Sequence, residues 1–135
     1  LGYPVLLFIL NQIKNIFSCN KSIDSEKFEP DVTLFISAHN EINIVSQKLS
    51  NSFLLDYPKN KITQLWITDG SDDGTPEFLK KQKDVIVYHE TERKGKTGAI
   101  NRGIQFVQTP IVIFSDANTI LNKEAIREIV KLFKF

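Results

Sequence analysis

Two acidic residues stand directly at the ends of apolar, β-branched runs: Asp69 closes "ITQLWITD" and Asp116 closes "PIVIFSD". A carboxylate in such a place can accept an N–H from a flat heterocycle. A carboxylate with an oxygen-bearing neighbour can hold a hard cation against a diphosphate. Asp116 and Asn118 lie at i and i+2, a spacing that lets both side chains reach one metal ion from extended or turn backbone. Asn118 supplies a neutral carbonyl oxygen, so the pair would hold Mn2+ or Mg2+ more weakly than two carboxylates. An Asx turn or a helix cap is the competing assignment, but the next helical period starts near Lys123, too far on for a cap.

A third polar stretch, "ERKGKTGAINRG" (Glu92 to Gly103), contains Gly-Lys-Thr ahead of a helical segment. A P-loop needs a further glycine five residues before Gly95, and position 90 is Glu, so that assignment fails. The dinucleotide fingerprint fails too, because no Gly-x-Gly occurs. What survives is a cluster of Arg93, Lys94 and Lys96 at a helix start, where N–H groups and ammonium groups could meet an anion. A solvated basic turn is the alternative. In "SAHNE", Glu41 could bond a ribose hydroxyl or simply favour a helix dipole, and His39 could touch a ligand or shape the loop. Asp72 and Asp73 read as turn formers before a helix with Thr75 as N-cap and Pro76 at its first position.

These residues are positioned by alternating elements. "VTLFIS" (32–37), "ITQLWI" (62–67), "VIVYH" (85–89) and "PIVIFS" (110–115) are short and apolar on both faces, as strands of a covered parallel sheet are. Between and after them run helical periods: Ile42, Val45, Leu49 and Phe53; Ile100, Ile104 and Val107; Ile126, Ile129, Val130 and Phe133. The pattern predicts an α/β fold, a Rossmann-like half domain with a mostly parallel sheet and helices on both faces. Ligands of such sheets bind beyond the carboxyl ends of the strands, where strand order reverses. Those ends carry "SAHNE", "TDGSDDG", "ETERKGK" and "SDANT", so separate loops deliver His39, Glu41, Asp69, Lys96, Asp116 and Asn118 to one rim.

Composition bounds the rest. The chain has 135 residues, 41% of them hydrophobic, enough for one real core. Seventeen basic against sixteen acidic residues give a net charge of +1, with no basic stripe, which argues against nucleic acid as a partner. The lone Cys19 excludes an internal disulfide, and no Cys/His pairs stand at zinc-ligand spacing. Residues 1–19 carry an apolar run from Pro4 to Leu10, shorter than the about 20 residues a membrane span needs. With Ile13, Ile16 and Phe17 they fit an apolar or amphipathic helix, lying either on a membrane or on the flank of the domain itself. Residues 20–31 read as a polar linker ending at Pro30, ahead of the domain at 32–135.

Taken in order, the loops resemble the family-2 glycosyltransferases of GT-A fold. "ISAHNE" is similar to the family's Pro-Ala-x-Asn-Glu block, "WITDGSDDGT" to Asp-Asp-Gly-Ser-x-Asp-Gly-Thr, "RKGKTGAINRGI" to Gly-Lys-x-x-Ala-x-Asn-x-Gly, and "IVIFSDAN" to a strand followed by Asp-x-Asp. The resemblance implies a metal-assisted, inverting transferase that takes a nucleotide-diphosphate sugar, most often a UDP-sugar, and glycosylates a glycan or lipid acceptor. It implies that Asp69 contacts the base, that Glu41 and the adjacent backbone of Ser37, Ala38 and His39 line the nucleoside, and that Lys96, with Arg93 beside it, meets base or phosphates. Asp116 and Asn118 would serve the ribose and the metal-bridged diphosphate, Asp116 being the one catalytic group on the leaving-group side. Relatives with a similar Tyr-Pro apolar start imply a protein at the cytoplasmic face of a membrane, building cell-envelope polysaccharide or glycolipid.

Departures from the family pattern are specific. Ser37 stands for Pro, Thr68 for the first Asp of the second block, and Asn118 for the last Asp of Asp-x-Asp. The family's catalytic base, in a Glu-Asp pair, and its Gln-x-x-Arg-Trp block do not occur, and the single Trp66 falls inside a strand. The chain thus reads as the donor-binding half of a longer enzyme, unable to transfer sugar alone. Two rivals are a non-catalytic nucleotide-sugar-binding scaffold and a sugar-nucleotide pyrophosphorylase. The second calls for a Gly-rich loop after the first strand, and "SAHNE" has no glycine.

Overall fold

The computed structural model describes residues 27–134. The N-terminal helix expected over 1–19 and most of the expected linker lie outside the described residues. Four strands, β1 (Val32–Ala38), β2 (Ile62–Asp69), β3 (Ile86–Glu90) and β4 (Ile111–Asp116), form one sheet in the order β3-β2-β1-β4. All neighbouring pairs are parallel. Four α-helices follow the strands in turn: α1 (Ile42–Phe53), α2 (Thr75–Lys80), α3 (Gly95–Gly103) and α4 (Ala125–Lys131). The α/β fold expected from the alternation of runs is the observed one.

Strand parity sorts the core into two layers, because successive side chains point to opposite faces. Val32, Leu34, Ile36 and Ala38 of β1 pack with Trp66, Ile111 and Ile113 against Val45, Leu49, Leu79, Ile126 and Val130, the layer of α1, α2 and α4. Phe35, Leu65 and Ile67 point the other way, onto Ala99 and Ile100 of α3. The chain winds from β1 outward through β2 to β3, then returns across the sheet to β4. That reversal puts α3 on the opposite face from α1 and α2. It also opens a crevice between β1 and β4, the switch point of the sheet.

Gly103 is what lets α3 lie so close to the sheet. A Cβ there would come within 2.4 to 2.6 Å of the Phe35 ring and Ile67. Helix α3 ends at that residue, and a 3-10 turn, Ile104–Phe106, continues the chain. Ile104 is exposed, so the apolar period expected through Ile104 and Val107 is not a single buried helix face. The β3 strand starts one residue later than expected, at Ile86, and alternates exposed and half-buried side chains because it is an edge strand. At α2, Gly74 in left-handed conformation takes the N-cap position, one residue before the expected Thr75. Phe133 falls beyond the end of α4 and is exposed, where a buried face position was expected.

Candidate functional site

The ends of β1, β2 and β4 place their polar side chains by the same parity that builds the core. Ser37 pairs in register with Ile67 and with Asp116. Asp69 lies two residues beyond Ile67 on β2, so Ser37, Asp69 and Asp116 all project to the α3 side. They meet there the start of α3, which carries Lys96. A cavity of about 250 Å3 results, lined by Ser37, Ala38, His39, Glu41, Asp69, Arg93, Gly95, Lys96, Ala99, Asp116, Ala117 and Asn118. Of the residues singled out from the sequence for the site, all but Lys94 lie on its wall.

Asp69 and Asp116 have different surroundings. Asp69 is 4% exposed. Its carboxylate accepts the Lys94 backbone N–H at 3.0 and 3.1 Å and the Arg102 guanidinium Nη2 at 2.5 Å. Burial alone would raise its pKa, but the N–H groups of Lys94 and Gly95 and the Arg102 charge outweigh it and hold the carboxyl below the usual range. The Asp69 carboxylate therefore anchors the turn into α3 as well as facing the cavity. Its carbonyl oxygen accepts a bond from His39 Nδ1 at 2.7 Å, so Nδ1 carries a proton.

Asp116 is more open. Lys96 Nζ lies 2.9 Å from its Oδ1 and 3.0 Å from its Oδ2, and Ser37 Oγ donates to Oδ1 at 3.3 Å. Asn118, two residues on, is exposed. The pair supplies hard oxygen donors from one turn of backbone, which suits Mn2+ or Mg2+. Among the described residues no group of three or more His, Cys, Asp or Glu gathers to make a complete protein-only metal site. An ion held here would take its remaining ligands from phosphate oxygens and water.

The loops brace one another. Asn40 has a positive φ of 53°, and its side chain and Asp72 exchange bonds: Asn40 Nδ2 donates to Asp72 Oδ1, and the Asp72 N–H donates to Asn40 Oδ1, both at 3.0 Å. Asp73 Oδ2 accepts the Ile42 N–H at 2.9 Å, and Thr75 Oγ1 accepts the Glu41 N–H at 3.0 Å. Asp72 and Asp73 are thus turn formers as expected, but they also fasten the start of α1. Glu41 occupies the N-cap position of α1 and its side chain makes no cap bond, which leaves the carboxylate to the cavity. Gly70, at φ 66°, touches the Arg93 backbone so closely that a Cβ would lie 2.6 Å from Arg93 Cβ. That contact seats Arg93 at the rim.

Two residues of this region escaped the sequence reading. Arg102, the next-to-last residue of the basic stretch, reads as a solvent-facing helix residue, yet it is the half-buried partner of Asp69. Lys48 lies under the β4 exit, fully buried, donating to Ser115 Oγ at 2.7 Å and to the Thr119 carbonyl at 2.5 Å. A signal for it existed: Val45, Lys48, Leu49 and Ser52 share one helical face, and lysine interrupts it.

The family model described as "Glycosyl transferase family 2" matches residues 33–135. The chain belongs to this family. Poly-beta-1,6-N-acetyl-D-glucosamine synthase of Staphylococcus aureus (strain MSSA476) is 31% identical over 147 aligned residues, which cover 99% of this chain and 35% of that protein. The corresponding synthase of Staphylococcus epidermidis is 30% identical over 76% of this chain and 25% of its own length. Among solved structures, the mannosyltransferase PcManGT from Pyrobaculum calidifontis, in complex with GDP-Man and Mn2+, aligns with a TM-score of 0.71 and 26% identity, over 96% of this chain and 39% of that one. TarS 1-349 of S. aureus in complex with UDP aligns at a TM-score of 0.69 and 18% identity over 76% of this chain and 32% of that one, a likeness of fold. This family-2 chain spans about a third of the length of the curated relatives it matches.

Proposed function

We propose that this chain is the donor-binding part of a glycosyltransferase that takes a nucleotide-diphosphate sugar, a UDP-sugar in preference to a GDP-sugar, and passes the sugar with inversion to a glycan or lipid acceptor. The observation that carries the reading is the meeting of Asp69, Lys96, Asp116 and Asn118, from separate loops, on one cavity at the carboxyl ends of the strands. The named products of the staphylococcal relatives, polymers of N-acetylglucosamine, and the binding of UDP by the structural neighbour TarS support the uridine choice. The Mn2+ in the mannosyltransferase structure supports the divalent ion.

In this reading the His39 ring and the Ser37–His39 backbone flank the nucleoside, Glu41 takes a ribose hydroxyl, and Asp69 offers its remaining lone pair to the base. Lys96 and Arg93 face the diphosphate. Asp116 and Asn118 would hold Mn2+ or Mg2+, which when bound would neutralise charge building on the departing diphosphate. Lys96 then exchanges its pairing with Asp116 for a phosphate oxygen, so the cation already in the cleft adds to the same stabilisation. The protein's place at the cytoplasmic face of a membrane belongs to the same proposal. Among the described residues no helix is long and apolar enough to cross one.

Calorimetry with UDP and with GDP, each with and without Mn2+, tests the reading. Binding of UDP that tightens with Mn2+ and loses that gain in Asp116→Ala is expected. Binding that ignores both metal and the substitution would favour a non-catalytic scaffold instead.

A further inference from the structure

We propose that Lys48 is a positioning residue for the Asp116–Asn118 segment, setting the shape of that ligand-bearing turn from inside the fold without touching the nucleotide. The proposal rests on the metal-diphosphate reading of the site given above.

Lys48 occupies the stripe of α1 that packs on the sheet, between Val45 and Leu49, with 0% of its surface exposed. Strand parity explains what it meets. Ser115 points to the α1 side of β4, opposite to Asp116, and its hydroxyl accepts a bond from Lys48 Nζ at 2.7 Å. The second bond, at 2.5 Å, goes to the carbonyl of Thr119. These two acceptors bracket Asp116, Ala117 and Asn118, so one ammonium group ties down both ends of the segment. Further bonds finish the clamp. The Thr119 N–H donates to the Asp116 carbonyl at 3.1 Å, and the Ala117 N–H donates to the Ser37 carbonyl at 3.0 Å. Asn51, one turn along α1, accepts the Leu121 N–H at 2.9 Å and donates to the Leu121 carbonyl at 2.8 Å.

Stability alone does not account for a lysine here. Its partners are a hydroxyl and a carbonyl, and burying an ammonium against neutral groups is costly, which shows in its pKa: burial pushes it down to about 8, against an opposing pull from Asp116. A methionine would fill the same space. The Thr119 carbonyl belongs to an exposed residue that water could serve. What the lysine adds is a fixed spacing between Asp116 and Asn118. That spacing matters most in a site with one carboxylate and one amide, because a site poor in charge depends on preorganisation to hold its ion.

The test is calorimetry on the full chain, wild type against Lys48→Met and Ser115→Ala, with UDP and with uridine, each with and without Mn2+. In the wild type Mn2+ tightens UDP binding. In Lys48→Met that manganese-dependent gain falls about tenfold, the size seen when groups supporting metal ligands are removed. Ser115→Ala loses part of it. Uridine, which carries no diphosphate, binds all three proteins alike, and Lys48→Met melts no earlier than the wild type because an uncompensated buried charge is gone. An undiminished gain in both variants overturns the proposal, as does a loss of uridine binding equal to the loss of UDP binding. If Lys48→Met does not fold, Ser115→Ala decides on the same two readouts. A wild type with no manganese-dependent gain defeats the reading of the site itself, and this inference with it.

Discussion

Arg102 Nη2 lies 2.5 Å from Asp69 Oδ1, with the two side chains 19% and 6% exposed. An ion pair this far from water is costly to break from one side, because the survivor is a buried charge without its partner. Arg102→Met is therefore expected to lower the unfolding free energy by about 3–5 kcal/mol, measured in urea at neutral pH. The double variant Arg102→Met/Asp69→Asn is expected to recover part of that loss, since it removes the orphaned charge.

The same pair sets an acid limit. The Asp69 carboxyl has a folded pKa below its ordinary 3.8. A depressed acid contributes stability that is complete above the unfolded value and disappears as pH falls through the folded one. Asp69→Asn is expected to flatten the fall in stability below about pH 4, read from urea midpoints taken between pH 5 and pH 2.

Lys48 gives a pH dependence at the other end of the scale. Its folded pKa is about 8 against an ordinary 10.5. Between those values the unfolded chain binds the proton more tightly, so stability rises with pH across that window, by something on the order of 3 kcal/mol in all. Below pH 8 the cost of the buried charge is fully present. Lys48→Met is expected to remove this rise, which urea unfolding of both proteins at pH 7.5 and pH 10 would reveal.

Gly103 sets two effects against each other. Alanine is the better helix former by up to about 1 kcal/mol, and less at a helix end. Its Cβ would press into the Phe35 ring at 2.4 Å, and both Phe35 and Ile67 are 1% exposed, without room to retreat. Overpacking of this kind costs about 1–3 kcal/mol, so Gly103→Ala is expected to destabilise, with a lower thermal midpoint as the readout.

Asn118→Asp adds a second carboxylate to the β4 exit. Charge count is the main lever on the affinity of oxygen sites for divalent ions. The variant is expected to bind Mn2+ roughly tenfold more tightly in the presence of UDP, measured by manganese titration.

Much of this was legible in the chain because strand runs and loop residues are local signals. Val32 to Ser37 and Ile62 to Ile67 are apolar on both faces, and both became central strands covered on two sides. Asp69 and Asp116 were visible as polar residues at the ends of such runs, and Lys96 in the polar stretch that follows a third. Tertiary partners were not. Arg102 has the composition of a surface residue, and only the approach of α3 permitted by Gly103 turns it toward Asp69. The end of α3 departs from the apolar period for a related reason: Ile104 keeps that period, but the 3-10 turn carries it out to solvent. Gly74 rather than Thr75 caps α2 because Thr75 is engaged elsewhere, receiving the Glu41 N–H.

The shared parity of Ser37 and Asp116, paired across β1 and β4, ties chemistry to topology in an all-or-none way. Sliding β4 by a single residue would bring Ser115 or Ala117 to the cleft and bury the acid under α1, with every apolar side chain of the strand displaced at the same time. No partly slipped sheet retains half a site. A deletion or insertion inside Ile111–Asp116 should thus abolish ligand capture and cooperative folding together, whereas changes of length after Thr119 would leave the sheet and its acid in step.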